Sequence, residues 1–243
     1  MDRLLLVRHA VTARTGSVLS GWTPGIDLSD QGRAQAGALA ERLAPVPLDA
    51  VCSSPLERCR QTAAAVAEPR GLTVEIVDEL GEVRYGAWTG RKLDELAKED
   101  LWRVVQHLPS GARFPEGESL YEMQVRAVAA CERLRARHQG KTVLVCSHAD
   151  VIKAVTAHYL GMHLDLYQRL VVAPASVTAL AFAPVPLLLR LNDTGDAADL
   201  AKPPPEARQP SEEGAKPAAQ TTDGQLGGQA ARPGPEEVAD AEP

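Results

Sequence analysis

The chain has few aromatic residues, nine in 243, and none after Phe182. A stretch without aromatic or branched apolar side chains cannot bury enough surface to offset its ordering entropy. Long apolar runs are also missing. Four apolar residues precede Arg8 at the N-terminus, and the Leu-rich Pro186–Leu191 stretch is equally short. Neither fits a signal-peptide core or a membrane span, so a membrane partner is not expected. Only four cysteines occur, Cys52, Cys59, Cys131 and Cys146, and no pair of them has metal-ligand spacing. Cys52 and Cys146 lie in strand-like apolar runs and read as buried, reduced thiols, which fits a cytoplasmic protein. There is no glycine-rich phosphate loop and no aspartate pair suited to magnesium. No basic excess points to nucleic acid, since the formal net charge is −6.

That acidity is unevenly placed. Residues 193–243 carry eleven acidic and four basic side chains, so residues 1–192 are close to neutral. From Pro203 onward Pro, Gly, Ala, Glu and Gln dominate. The composition predicts a folded domain over 1–192 and an acidic, disordered Pro/Gly/Ala-rich tail over 193–243.

Within the domain, strand and helix signals alternate. Arg3–Val7, Asp49–Cys52, Thr73–Val77 and Thr142–Cys146 read as strands. Helices are expected over Asp30–Leu43 with Ser29 as N-cap, from Pro55 to about Ala67, over Glu118–His138 and over Val151–Leu160. Ser54, Pro55 and Glu57 suggest an N-cap, an N1 proline and a capping box. Shorter helical stretches fall near Lys92–Ala97 and Leu101–Leu108, and Ser176–Phe182 with Pro186–Leu191 read as a closing hairpin or edge pair. This order predicts an α/β fold: a three-layer open sheet, mostly parallel, with helices on both faces.

In such sheets ligands bind beyond the carboxyl ends of the strands. Arg8 and His9 follow the first strand. Arg58 lies in the helical turn after the second, and His148 follows the strand ending at Cys146. Two guanidiniums and two imidazoles thus converge where a ligand should sit, a set suited to holding and transferring a phosphoryl group.

The segments carrying these residues resemble the histidine phosphatase superfamily, the phosphoglycerate-mutase-like phosphatases and mutases of branch 1. The resembling blocks are Leu6-Val7-Arg8-His9-Ala10, Asp27–Ala36, Ser53-Ser54-Pro55-Leu56-Glu57-Arg58, Glu82-Val83-Arg84-Tyr85-Gly86, Pro115-Glu116-Gly117-Glu118-Ser119 and Val145-Cys146-Ser147-His148. They occur in the family's order from residue 3 to about 183. The resemblance implies that His9 is the nucleophile, that Arg8, Arg58 and His148 bind the phosphoryl group, and that Glu82 is the proton donor. It implies no metal and no other cofactor, a small-molecule phosphomonoester as substrate, and a fold in which a homodimer is common. His9 must be neutral to attack, whereas His148 is expected to work best protonated.

Ala10 stands where the family usually has glycine, and Thr15 where many members have a phosphate-contacting asparagine. Ala149-Asp150 stands in place of a Gly-Gly pair. Asp150 is a second-choice acid, and the preferred reading makes it the N-cap of the following helix. Ser20-Gly21-Trp22 resembles a substrate-contacting block of the mutases, so a phosphomutase such as a phosphoglycerate mutase is the alternative function. A protein phosphatase is also open. The short stretch from Trp88 to Pro115 favours hydrolysis, because a mutase must shield its phosphohistidine from water. Arg14, Arg84, Arg91 and Arg113 are candidate contacts for a second anionic group.

Overall fold

The computed structural model describes residues 2–195. Most of the expected tail therefore lies outside the described residues, and its first residue, Asp193, closes a strand. The elements run β1 (Arg3–Arg8), α1 (Asp30–Arg42), β2 (Ala50–Ser53), α2 (Glu57–Ala67), β3 (Val74–Ile76), α3 (Leu93–Leu96), α4 (Asp100–His107), α5 (Leu120–Arg137), β4 (Thr142–Ser147), α6 (Ala149–Tyr159), β5 (Val177–Phe182) and β6 (Pro186–Asp193). They form the expected mixed α/β fold around one six-stranded sheet, in the order β3-β2-β4-β1-β5-β6. The first four strands in that order are parallel, and β5 and β6 form the antiparallel closing hairpin.

The alternation of side chains along a strand explains the two packed faces. Leu4 and Leu6 of β1 face one layer, with Val143 and Val145 of β4 and the buried residues of α5 and α6. Leu5 and Val7 face the other, with Leu144, Cys146, Leu39 of α1 and Cys59, Ala63 and Val66 of α2. Each leucine of β1 is essentially inaccessible to solvent, a burial that contributes about 2 kcal/mol per side chain. All four cysteines are buried and unpaired. No helix among the described residues is long and apolar enough to cross a membrane.

Two helix starts depart from expectation. Helix α2 begins at Glu57 with Leu56 at its N-cap and no side-chain cap, so the Ser54 capping box does not form. The Ser54 hydroxyl instead bonds a ring nitrogen of His148, 94 residues away, at 2.8 Å, and accepts only from the Leu56 amide nearby, at 3.3 Å. Helix α6 begins earlier than expected, with His148 rather than Asp150 at its N-cap position. Asp150 sits in the first turn, where the helix dipole still favours a carboxylate, and accepts a hydrogen bond from the Tyr85 hydroxyl at 2.9 Å. Ser29 caps α1 as expected, accepting from the Gly32 amide, and α5 carries a full capping box between Ser119 and Glu122.

Candidate active site

Each of the four parallel strands delivers one part of the site at its carboxyl end. Strand β1 ends in Arg8 and is followed by His9. Beyond β2 come Ser54 and, in the first turn of α2, Arg58. Beyond β3 the chain turns through a short 3-10 helix, Asp78–Leu80, to Glu82. Strand β4 is followed by His148. The parallel register sets Arg8 beside Ser147, which places His9 and His148 on neighbouring strand ends. Their rings meet edge-on with centroids 5.3 Å apart.

His9 is 6 % exposed. Its Nδ1 lies 2.8 Å from the Ala10 carbonyl. A carbonyl only accepts, so Nδ1 carries the proton and Nε2 keeps its lone pair. Burial, together with the Arg58 and Arg8 guanidiniums, pushes the His9 pKa down to about 3. The ring is therefore neutral and nucleophilic at any working pH.

His148 is fully buried. Arg58 Nη2 lies 3.2 Å from its Nδ1, and a guanidinium only donates, so Nδ1 accepts and the Nε2 proton goes to the Ser54 hydroxyl. Burial and the neighbouring Arg58 and His9 hold its pKa well below the ordinary imidazole value. The expectation of a protonated His148 is thus corrected for the site as it stands: burial disfavours the charged ring, and the guanidiniums of Arg58, Arg126 and Arg8 would repel an imidazolium.

Arg58 is 2 % exposed. Its Nη2 also donates to the Gly21 carbonyl at 2.9 Å, while Nη1 is buried with no hydrogen-bond partner among the described residues. Arg8 shows the same pattern: Nη1 donates to the Val172 carbonyl at 2.7 Å, and the buried Nε has no such partner. Buried charged donors without acceptors are costly, and both line one cavity of about 210 Å³. An oxyanion ligand would satisfy them.

Glu82 lines the same cavity. Its Oε2 lies 3.6 Å from His148 Nδ1, and its Oε1 accepts from the Val83 amide at 3.0 Å. Burial, reinforced by the negative charge of Asp150, raises its pKa from 4.5 to about 7. A carboxylic acid that titrates near neutrality can both give and take a proton.

The remaining sequence candidates divide. Thr15, Ser20 and Gly21 line the cavity; the Thr15 Oγ1 accepts from the Thr12 amide at 2.9 Å and pairs with the Thr12 hydroxyl at 3.1 Å. Trp22 does not line it. Its indole N–H donates to the Glu82 carbonyl at 2.5 Å, its ring fills the space beside Gly81, and the Arg84 guanidinium lies over it at 4.1 Å. Arg91 and Arg113 are paired with Glu99 and Glu122. Tyr85 also lines the cavity. Ser54 was read only as a cap, because nothing local signals its partnership with His148.

Comparison with known proteins agrees with this geometry. The family model for the histidine phosphatase superfamily, branch 1, matches residues 4–194.

The chain belongs to the histidine phosphatase superfamily.

Among its curated relatives is phosphoserine phosphatase 1 of Hydrogenobacter thermophilus, 35% identical over 178 residues, covering 69% of this chain and 80% of that protein. A Yersinia pestis protein named "Probable phosphoglycerate mutase GpmB" is 29% identical, covering 84% of this chain and 97% of its own length. Among solved structures, a mycobacterial glucosyl-3-phosphoglycerate phosphatase superposes with a TM-score of 0.71 at 26% identity, over 79% of this chain and 98% of its own. The expected superfamily and fold, and a phosphatase of this superfamily, are supported by these matches.

Proposed function

We propose that this histidine phosphatase superfamily member is a metal-independent phosphomonoesterase that works through a phosphohistidine on His9. The observation that carries the reading is the convergence, on one small cavity, of a neutral buried imidazole, two guanidiniums with unsatisfied buried N–H groups, and a carboxyl group titrating near 7. In the first half-reaction His9 Nε2 forms the N–P bond as the ester P–O bond breaks. Glu82 gives its proton to the departing alcohol oxygen. Arg8 and Arg58 hold the phosphoryl oxygens in line, and a bound phosphate dianion offsets the guanidiniums enough for His148 to take a proton on Nδ1 and donate to the same group. In the second half-reaction water attacks phosphorus, Glu82 takes up its proton, and the N–P bond breaks to release inorganic phosphate and restore His9.

The cavity lining favours hydrolysis of a small phosphomonoester over a phosphoglycerate mutase reaction. Beyond Arg8 and Arg58 its lining among the described residues contains no lysine or arginine, and it includes Asp150. A substrate with a second anionic group, as in the phosphoglycerates, finds no further countercharge there. The protein's four buried, unpaired cysteines fit a reducing, cytoplasmic setting.

The test uses the full chain in EDTA with 4-nitrophenyl phosphate, phosphoserine and phosphoethanolamine, and with 3-phosphoglycerate plus trace 2,3-bisphosphoglycerate. Release of inorganic phosphate, lost in His9→Ala, is expected, with an acid-labile, base-stable phosphoryl label on the wild-type protein only. Interconversion of phosphoglycerates without phosphate release would replace the phosphatase reading by the mutase one.

A further inference from the structure

The loop that carries Glu82 has almost no regular secondary structure, yet its backbone is held at every carbonyl from residue 79 to 82. The Glu79 carbonyl accepts from Arg126 Nη1 at 2.5 Å and the Gly81 carbonyl from the same atom at 2.9 Å. The Leu80 carbonyl accepts from the Ser147 hydroxyl at 2.7 Å. The Glu82 carbonyl accepts from Arg126 Nη2 at 2.8 Å and from the Trp22 indole at 2.5 Å. Arg126 also grips Glu118: Nε donates to Oε2 at 2.9 Å and Nη2 to Oε1 at 2.6 Å. Glu118 in turn accepts from the Arg84 amide at 2.8 Å, just past the acid.

The guanidinium has five N–H groups, and Arg126 makes five hydrogen bonds, three of them to this loop. It stands on α5, away from the cavity, and its side chain is 18 % exposed, that of Glu118 11 %. A surface ion pair does not need such saturation, and one largely withdrawn from water is costly unless its hydrogen bonds are complete. The planar fork reaches carbonyls in two directions while staying locked to a carboxylate, which lysine cannot do.

We propose that Arg126, fixed by Glu118, is a positioning residue for the acid: it sets the backbone from which Glu82 reaches the leaving oxygen. This rests on the assignment of Glu82 as proton donor under the proposed function. Misplacing such a group by about 1 Å is enough to cost on the order of 100-fold in rate, although Arg126 itself never meets the substrate.

Leaving-group dependence tests this directly. The 4-nitrophenolate ion departs without a proton, whereas the alkoxide of phosphoethanolamine requires one. The readout is kcat/KM, which reports the first, bond-breaking half-reaction. Glu82→Gln should lower it for phosphoethanolamine by about 100-fold or more and for 4-nitrophenyl phosphate by less than about 5-fold. Arg126→Lys and Glu118→Gln should show the same selective loss, about 10- to 100-fold against less than about 3-fold. Added to Glu82→Gln, Arg126→Lys should cost almost nothing more, because both act on one proton transfer. Glu118→Gln keeps an acceptor oxygen and serves if Arg126→Lys folds poorly. Equal losses on both substrates in both variants, or a full additive loss on Glu82→Gln, would overturn the proposal and leave Arg126 a structural residue. If Glu82→Gln itself showed no leaving-group selectivity, the acid assignment would fall, and the positioning role with it.

Discussion

Replacing Glu82 with glutamine should make the protein more stable while it disables it, and the size of the gain should depend on pH. Glutamine keeps the oxygen that accepts from the Val83 amide but cannot ionise. In the folded protein Glu82 titrates at about 7, against an ordinary 4.5, because burial and Asp150 oppose its charge. The sign follows from linkage. Between pH 4.5 and 7 the folded state holds a proton that the unfolded state has released, so stability falls as pH rises through that window. Above pH 7 both states are ionised and the full penalty stands. At about 1.4 kcal/mol per pH unit, it reaches about 3 kcal/mol. At pH 5 most of it has not yet developed, leaving about 1 kcal/mol. Urea unfolding of both proteins at pH 5, 6, 7 and 8 measures the difference. With a denaturant slope of about 2 kcal/mol/M, the variant's midpoint should lie about 1.5 M above wild type at pH 8 and about 0.5 M above at pH 5. His9, whose folded-state pKa is depressed, loses stability in the opposite direction, as pH falls below 6.5. It is present in both proteins and cancels in the comparison. A midpoint difference constant across pH, or a variant less stable than wild type at pH 8, would refute the account of a buried carboxyl paid for in stability.

With phosphoethanolamine, kcat/KM should fall about tenfold per pH unit above about 7 as the Glu82 proton is lost, while His9 contributes no acid limb down to about pH 4; a flat profile from pH 7 to 9 counts against Glu82 as donor. Ser54→Ala leaves the fully buried Nε2 proton of His148 with only the weak sulfur acceptor of Cys59 at 3.4 Å, so chemical denaturation should show a loss of about 1–3 kcal/mol, and unchanged stability would mean that the tautomer assigned to His148 is wrong. Gly86 has φ of +52°, and an added Cβ would lie 2.0 Å from the Pro115 carbonyl oxygen; Gly86→Ala should lower the melting temperature by several degrees, equivalent to at least about 2 kcal/mol, and an unshifted melt would show that the two loops are not packed as described.

The regular elements were readable because their signals are local. The apolar runs of β1 and β4, the Ser29 cap and the Ser119–Glu122 capping box each declare themselves within a few residues. The site's main residues were readable because strand ends in a parallel sheet meet at one edge. What stayed hidden depends on partners distant in sequence. Ser54 looks like a helix cap until a buried imidazole N–H claims its hydroxyl. Asp150 looks like another until the tyrosine three-dimensionally beside it, Tyr85, donates to it. The protonation of His148 depends on its burial and on the guanidiniums around it, and spacing along the chain reveals neither. Arg126 resembles any solvated charge on a helix, because the carbonyls it binds belong to an irregular loop with no pattern of its own.

The sheet order has a consequence for how the molecule is made. Strand β1 is made well before the two strands it lies between, β4 and β5, at residues 142–147 and 177–182. Its Leu4–Val7 run therefore waits, unpaired and apolar, until β4 is made about 135 residues later, roughly seven to thirty seconds at typical elongation rates. Until then His9 has no His148 beside it. A chain interrupted before β4 carries an exposed apolar strand and no assembled site, so folding depends on whatever shields Leu4–Val7 during translation.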